Sequence, residues 1–140
     1  MPLLLNRHAK AGHRSQWDGD DRLRPLDEKG RRQAEALPQQ LARFEIGRIA
    51  SSPYRRCVET VEPLSDQRGV PIEERHELEE GASSEETLAL LRELGDDAVL
   101  CTHGDILEAL LGEEGKKGST RVVELRDGKP VVLEYLPPSA

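Results

Sequence analysis

Apolar residues run along this chain in short bursts whose period switches between that of a strand and that of a helix. Leu3 to Arg7 reads as a brief buried strand, followed by a polar, Gly- and Asp-rich loop from Gly12 to Pro25 that is long enough to be suspected of function. Residues 28 to 44 place Ala34, Leu37, Leu41 and Phe44 on one helical face, and Pro38 within that stretch predicts a kink. Ile46 to Ser51 is a second strand, Tyr54 to Arg68 a second helix, and Val70 to Leu78 an extended segment opening at a Gly-Val-Pro turn. Ser83 with Glu86 three residues later forms a capping box, which starts a helix faced by Leu88, Leu91 and Leu94. Asp97 to Cys101 then reads as a strand, Asp105 to Leu111 as a helix and 113 to 118 as an exposed loop. Arg121 to Leu125 and Pro130 to Tyr135 flank Asp127-Gly128, the signature of a β-hairpin. The alternation implies an α/β layer fold with a mainly parallel sheet and an antiparallel pair at one edge.

Length adds that the 140 residues make one domain, 1–140. No apolar run approaches the roughly 20 residues that cross a bilayer, and Met1 to Leu5 lacks the basic start of a secretory leader. The expectation is a cytoplasmic chain with no membrane partner. A net charge of −7 argues against nucleic acid as a partner, yet residues 1–32 carry a local +3 and suggest a focused anion site. Cys57 and Cys101 read as two buried, reduced thiols.

In open parallel sheets ligands bind beyond the carboxyl ends of the strands. The residues found there form one set: Arg7 and His8; Ser51, Ser52, Arg55 and Arg56; Glu79 and Glu80; Thr102, His103 and Gly104. Two imidazoles, several guanidiniums and a carboxylate suit phosphoryl transfer, where catalysis is largely positioning and electrostatic stabilisation. Arginine forks match phosphoryl oxygens bidentately, and a neutral imidazole attacks phosphorus to give phosphohistidine. A carboxylic acid would protonate the leaving oxygen and then serve as base toward water.

These motifs resemble the histidine phosphatase (phosphoglycerate mutase-like) superfamily. Arg7-His8-Ala9 is similar to its Arg-His-Gly signature in the variant common among small SixA-like members. Arg24-Pro25-Leu26-Asp27-Glu28-Lys29-Gly30, Ser52-Pro53-Tyr54-Arg55-Arg56-Cys57-Val58-Glu59-Thr60 and Thr102-His103-Gly104 resemble its further motifs, in order, over roughly residues 3 to 111. Across the Arg-Cys-x-x-Thr-x-x-Pro-Leu stretch and the acidic run after it, the chain also looks like the histidine phosphatase domain that follows a Nudix domain in some bacterial MutT-type proteins. The resemblance implies a three-layer α/β/α fold with a mainly parallel sheet and an antiparallel edge hairpin. It implies His8 as phosphorylated nucleophile, with Arg7, Arg56 and His103 completing the phosphate pocket, Arg24 as a further phosphate contact and Glu80 as proton donor. Arg14 is a weaker candidate, and the register leaves Arg55 on the surface. The implied enzyme is a phosphoric monoester hydrolase that needs no cofactor or metal and acts on a phosphorylated small molecule, a nucleotide or a phosphoprotein. The 140 residues leave no room for the long insertions of phosphoglycerate mutases, which favours a phosphatase over an isomerase.

Plainer readings stand beside these. Glu77 to Glu80 could be a solvated acidic face, Arg14 and Arg24 could only neutralise Asp18, Asp20 and Asp21, and His13 and His76 read as surface residues. Two other functions compete: a metal-dependent hydrolase using His8, His13 and His103, and a non-catalytic phosphate-binding module that keeps the same pocket.

Overall fold

The computed structural model describes residues 2–139. Five strands follow the expected order: β1 (Leu3–Arg7), β2 (Arg48–Ser51), β3 (Ile72–Glu74), β4 (Ala98–Thr102) and β5 (Thr120–Arg126), with β6 (Lys129–Leu136) closing a hairpin on β5. They form one sheet in the order β3-β2-β4-β1-β5-β6. The first four are mutually parallel, whereas β5 runs antiparallel to β1 and β6 antiparallel to β5. Asp127 (φ 53°) and Gly128 (φ 76°) supply the two positive φ angles of the tight turn that joins β5 to β6.

Four helices cover the two faces: α1 (Glu28–Gln40), α2 (Arg55–Arg68), α3 (Ser84–Leu94) and α4 (Gly104–Leu111). Strand periodicity sorts the core. Leu3, Leu5, Ala98 and Leu100 point to the face packed by Leu90, Leu91 and Leu94 of α3 and Leu107 of α4. Leu4, Ile49, Val99 and Cys101 point to the other, packed by Leu37 of α1 and Val61 and Leu64 of α2. This is the three-layer α/β/α architecture expected, with the antiparallel hairpin at one edge. No helix among the described residues is long and apolar enough to cross a membrane.

Several boundaries differ from the sequence reading. Helix α1 ends at Gln40, two residues beyond Pro38, instead of running to Phe44. Proline has no N–H to give to Ala34, and tight turns follow, with Ala42 N–H donating to Gln39 and Phe44 N–H to Leu41. The stretch read as extended from Val70 to Leu78 keeps only three strand residues, because His76–Leu78 coils into a 3-10 turn that buries Leu78. The buried face of α3 is Thr87, Leu90, Leu91 and Leu94, with Leu88 only flanking it. Thr87 is drawn inward because its hydroxyl donates to Glu77 O, at 2.8 Å.

Candidate active site

Strand register brings the two site histidines together. Arg7 of β1 pairs with Thr102 of β4, so the next residues, His8 and His103, leave the sheet side by side. Their ring centroids are 5.4 Å apart in an edge-on arrangement. On the far side of β4, Ser51 pairs with Cys101, which sets Ser52 next to Thr102 and its hydroxyl 2.9 Å from His103 Nε2. Helix α1 presses on the chain just after His8: a Cβ on Gly30 would sit 1.9 Å from Lys10 O, so only glycine allows this approach. The Ala9 N–H donates to Thr60 Oγ1 at 2.9 Å, tying the same stretch to α2.

His8 is 6% exposed, and its Nδ1 lies 2.8 Å from Ala9 O. A carbonyl oxygen only accepts, so Nδ1 carries the proton and Nε2 keeps its lone pair. Burial drives the His8 pKa well below its ordinary value of 6.5; the Ala9 bond opposes this, and the neighbouring His103, Arg56 and Arg7 add to it. The imidazole is therefore neutral at neutral pH, with its lone pair on Nε2.

Around it lies an open cavity of about 710 Å³, lined by Arg7, His8, Arg24, Arg56 and Glu80 among others. Arg56, with no exposure, donates from Nη1 to Asp21 O (2.9 Å) and from Nη2 to Asp21 Oδ2 (3.2 Å) and Glu80 Oε1 (2.7 Å). Its guanidinium also lies 4.9 Å from the centre of the Tyr54 ring. Arg24 Nε donates to Asp21 Oδ1 at 2.9 Å, and its Nη1 donates to Gly12 O. Arg14, 63% exposed in its side chain, reaches Glu80 Oε1 at 2.8 Å and Asp21 at 3.5 Å. Burial alone would raise the Asp21 pKa, but the Arg24 hydrogen bond and the charges of Arg56, Arg24 and Arg14 hold it below the usual carboxylate range. Glu80 is positioned from below: the Gly81 N–H donates to Asp105 Oδ2 at 2.9 Å, which pins the turn to the start of α4.

Arg7 Nη1 donates to Gly115 O at 2.6 Å, and its side chain packs on Gly104, where a Cβ would stand 3.0 Å from the guanidinium carbon. Three buried nitrogens around the cavity have no hydrogen-bond partner: Arg7 Nε, Arg56 Nε and His103 Nδ1, the last 3.6 Å from Glu80 Oε1. A buried polar atom left unpaired costs about 1–3 kcal/mol, and Asn6 Oδ1 and Arg121 Nη1 are in the same state elsewhere in the fold.

The structure thus gathers Arg7, His8, Arg24, Arg56 and Glu80 at one cavity, whereas His103 is buried behind them against His8 and Glu80 and is not part of the cavity lining. Arg55 stays on the surface of α2, paired with Glu59 at 2.9 Å. Arg14 and Arg24 do neutralise an acid, Asp21, and line the cavity as well. His76 is exposed between Glu77 and Glu86; His13 is exposed too, at the cavity rim. Among the described residues no three His, Cys, Asp or Glu side chains are grouped to hold a metal. Sequence reasoning gave no site role to Tyr54, Lys10 or Lys117, all of which line the cavity. Strand period could have found Lys10, two residues past His8. Lys117 needed the topology, since antiparallel β5 starts where β1 ends and Gly118 N–H donates to both Arg7 O and His8 O.

Comparison with known proteins places this arrangement. The 8-oxo-(d)GTP phosphatase of Mycolicibacterium smegmatis is 37% identical over 154 aligned positions, which take in 97% of this chain and 48% of that protein. The chain therefore spans about half the length of that curated relative. The protein histidine phosphatase SixA, solved with tungstate, superposes with a TM-score of 0.82 at 22% identity, covering 99% of this chain and 97% of that one. A SixA protein of Agrobacterium tumefaciens gives 0.80 at 26% identity, covering 98% and 97%. The sequence profile of the histidine phosphatase superfamily (branch 1) matches residues 3–89, more than half the chain, so the protein belongs to that superfamily.

Proposed function

We propose that this chain is a phosphatase that transfers a phosphoryl group to His8 Nε2 and then to water. The observation that carries the reading is the buried, neutral His8, with its lone pair on Nε2, in a cavity lined by Arg7, Arg24 and Arg56 and backed by His103. A phosphate monoester brings about −1.5 to −2 charges near pH 7. Its oxygens would accept from the guanidiniums of Arg7 and Arg56, which neutralise the equatorial charge of the transition state.

Glu80 shares the guanidiniums of this place, since its Oε1 accepts from both Arg56 and Arg14. An incoming phosphate would compete for Arg56 and release the carboxyl group toward the leaving oxygen. In that position Glu80 protonates the departing alkoxide and later takes a proton from the water that cleaves the N–P bond. Arg24, which reaches the cavity from the loop at 12–25, adds positive charge behind the phosphate. The substrate carries a phosphoryl group on a small molecule, a nucleotide or a protein histidine; the likeness to the mycobacterial relative favours a nucleotide phosphate.

The test is turnover of p-nitrophenyl phosphate by wild-type and His8→Ala protein, with and without chelator. The expected result is loss of roughly three orders of magnitude or more in kcat on removing the nucleophile. Acid-labile, base-stable phosphate should appear on the wild-type chain alone, and chelator should leave its rate intact. Unaltered turnover in the His8 variant would overturn the proposal. Phosphate binding with no turnover of any phosphorylated compound would instead favour a non-catalytic phosphate-binding module.

A further inference from the structure

The cavity holds more positive charge than one phosphoryl group needs. Six cationic side chains line it, Arg7, Lys10, Arg14, Arg24, Arg56 and Lys117, against three carboxylates, Glu80, Asp105 and Glu114. The arginines on the Glu80 side are bound to acids. Lys117 is different: among the described residues no carboxylate pairs with its ammonium. Its pKa is lowered by partial desolvation and by the charges of Arg7, Arg24 and Lys10, which outweigh the opposing charge of Asp27, a net repulsion that an anion would relieve. Lys10 does have a partner, Asp27 at 2.7 Å.

Lys10 and Lys117 are brought together by a buried side chain. Gln33 of α1 accepts from Lys10 N–H through Oε1 at 3.0 Å and donates from Nε2 to Lys117 O at 3.5 Å. Next to the first cavity is a second, of about 410 Å³, lined by Lys10, Lys29, Gln33, Lys116, Lys117, Pro137 and Pro138. Lys10 and Lys117 belong to both cavities, and none of these lining residues is an acid. In a chain of net charge −7, four lysines around one acid-free hollow form a local reversal of sign that borders the His8 pocket.

We propose that Lys117, supported by Lys10, is a second anion subsite that holds a phosphate on the leaving group, so that phosphoric anhydrides are preferred to simple phosphate esters. This rests on the phosphatase reading for its chemical step. His8 Nε2 forms a bond to the terminal phosphorus while the bridging P–O bond breaks, and the bridging oxygen leaves with its electron pair on the second phosphate, held by Lys117. Water then attacks the phosphorus on His8, the N–P electrons return to Nε2, and inorganic phosphate departs with the water's oxygen. A phosphate leaving group departs without the proton that an alkoxide requires, so this reaction depends less on Glu80 than ester hydrolysis does.

Two measurements test the subsite. In the first, kcat/KM is compared for inorganic pyrophosphate and p-nitrophenyl phosphate in wild-type and Lys117→Gln protein. The pyrophosphate-to-ester ratio should fall about ten- to hundredfold, the worth of one or two charge-assisted hydrogen bonds, and Lys117→Arg should restore most of it. A ratio unchanged within twofold would overturn the proposal. In the second, calorimetry on the His8→Ala background compares binding of pyrophosphate and phosphate with and without Lys117→Gln. Pyrophosphate should bind about tenfold more tightly or better, and the advantage should vanish with the lysine. Because this readout needs no turnover, an inactive wild type whose pyrophosphate preference depends on Lys117 sinks the phosphatase reading and leaves the subsite standing. An active wild type without that preference does the reverse.

Discussion

The two walls of the cavity solve the same electrostatic problem in opposite ways. On one, Arg14, Arg24 and Arg56 share the carboxylates of Asp21 and Glu80, and Arg56 is fully buried. On the other, Lys117 is exposed, with Arg7, Arg24 and Lys10 nearby and only Asp27 opposing their charge. Burial explains the difference. A guanidinium taken wholly out of water must be paired at once, because an uncompensated buried charge costs several kcal/mol per ion. A lysine at the rim keeps its hydration and can wait for substrate. On the proposed reading, a phosphate would have to open the paired wall, whereas Lys117 would draw it in.

The strongest challenge to this contrast is Arg56→Ala. It should cost about 3–5 kcal/mol of stability, since it leaves Asp21 and Glu80 facing each other with only the exposed Arg14 shared between them, and about 10²–10³ in kcat/KM. Urea unfolding and p-nitrophenyl phosphate kinetics would read both. A loss of stability no greater than that caused by Lys117→Gln would erase the distinction between the walls. Asp21→Asn is subtler, because it removes a competitor for the arginines while keeping their geometry. Inorganic phosphate should bind several-fold more tightly, roughly three- to tenfold, as followed by calorimetry. Weaker binding would mean that the carboxylate serves to hold the guanidiniums in place. The Asp21 pKa is lowered in the fold, so its stabilising contribution is complete above its unfolded value of about 3.9 and fades as pH falls through the lower folded value. The Asn variant should lack that acid-side loss, which unfolding measured across pH 2–6 would reveal. The smallest effect is expected at Arg55→Ala: its pair with Glu59 lies on an exposed helical turn, so stability should change by about 0.5 kcal/mol or less, with kcat/KM unmoved.

Much of the fold was legible because local patterns and global packing agree. Strand β1 shows its two-faced burial directly, Leu3 and Leu5 to one side and Leu4 to the other, and Asp127-Gly128 announces its own turn. Reading the residues just past each strand pointed to His8, Ser52 and His103, since parallel strands end on a common edge. The reading failed where a residue's place depends on a distant partner. Thr87 is buried by a hydrogen bond to Glu77 that no periodicity reports, and the 3-10 turn at His76–Leu78 replaces apparent strand. Lys117 lies in a loop that looks merely solvated until antiparallel pairing of β5 with β1 carries it to the mouth of the site. Asp21 is one of three neighbouring aspartates in a polar loop, and only the assembled arginines single it out.

Beneath the His103 ring lies a further consequence of the close packing of α2 on β4. Cys57 and Cys101 are free and have no exposure, and Cys57 Sγ is 3.6 Å from His103 Nε2. Burial resists ionisation of the Cys57 thiol, but hydrogen bonds from Cys101 and His103 draw its pKa below the ordinary thiol value, while burial pushes Cys101 up. Both sulfurs are sealed from solvent between helix and strand. An alkylating reagent reaches them only when helix and strand part, so the pace of labelling records how often the floor beneath the histidines breathes.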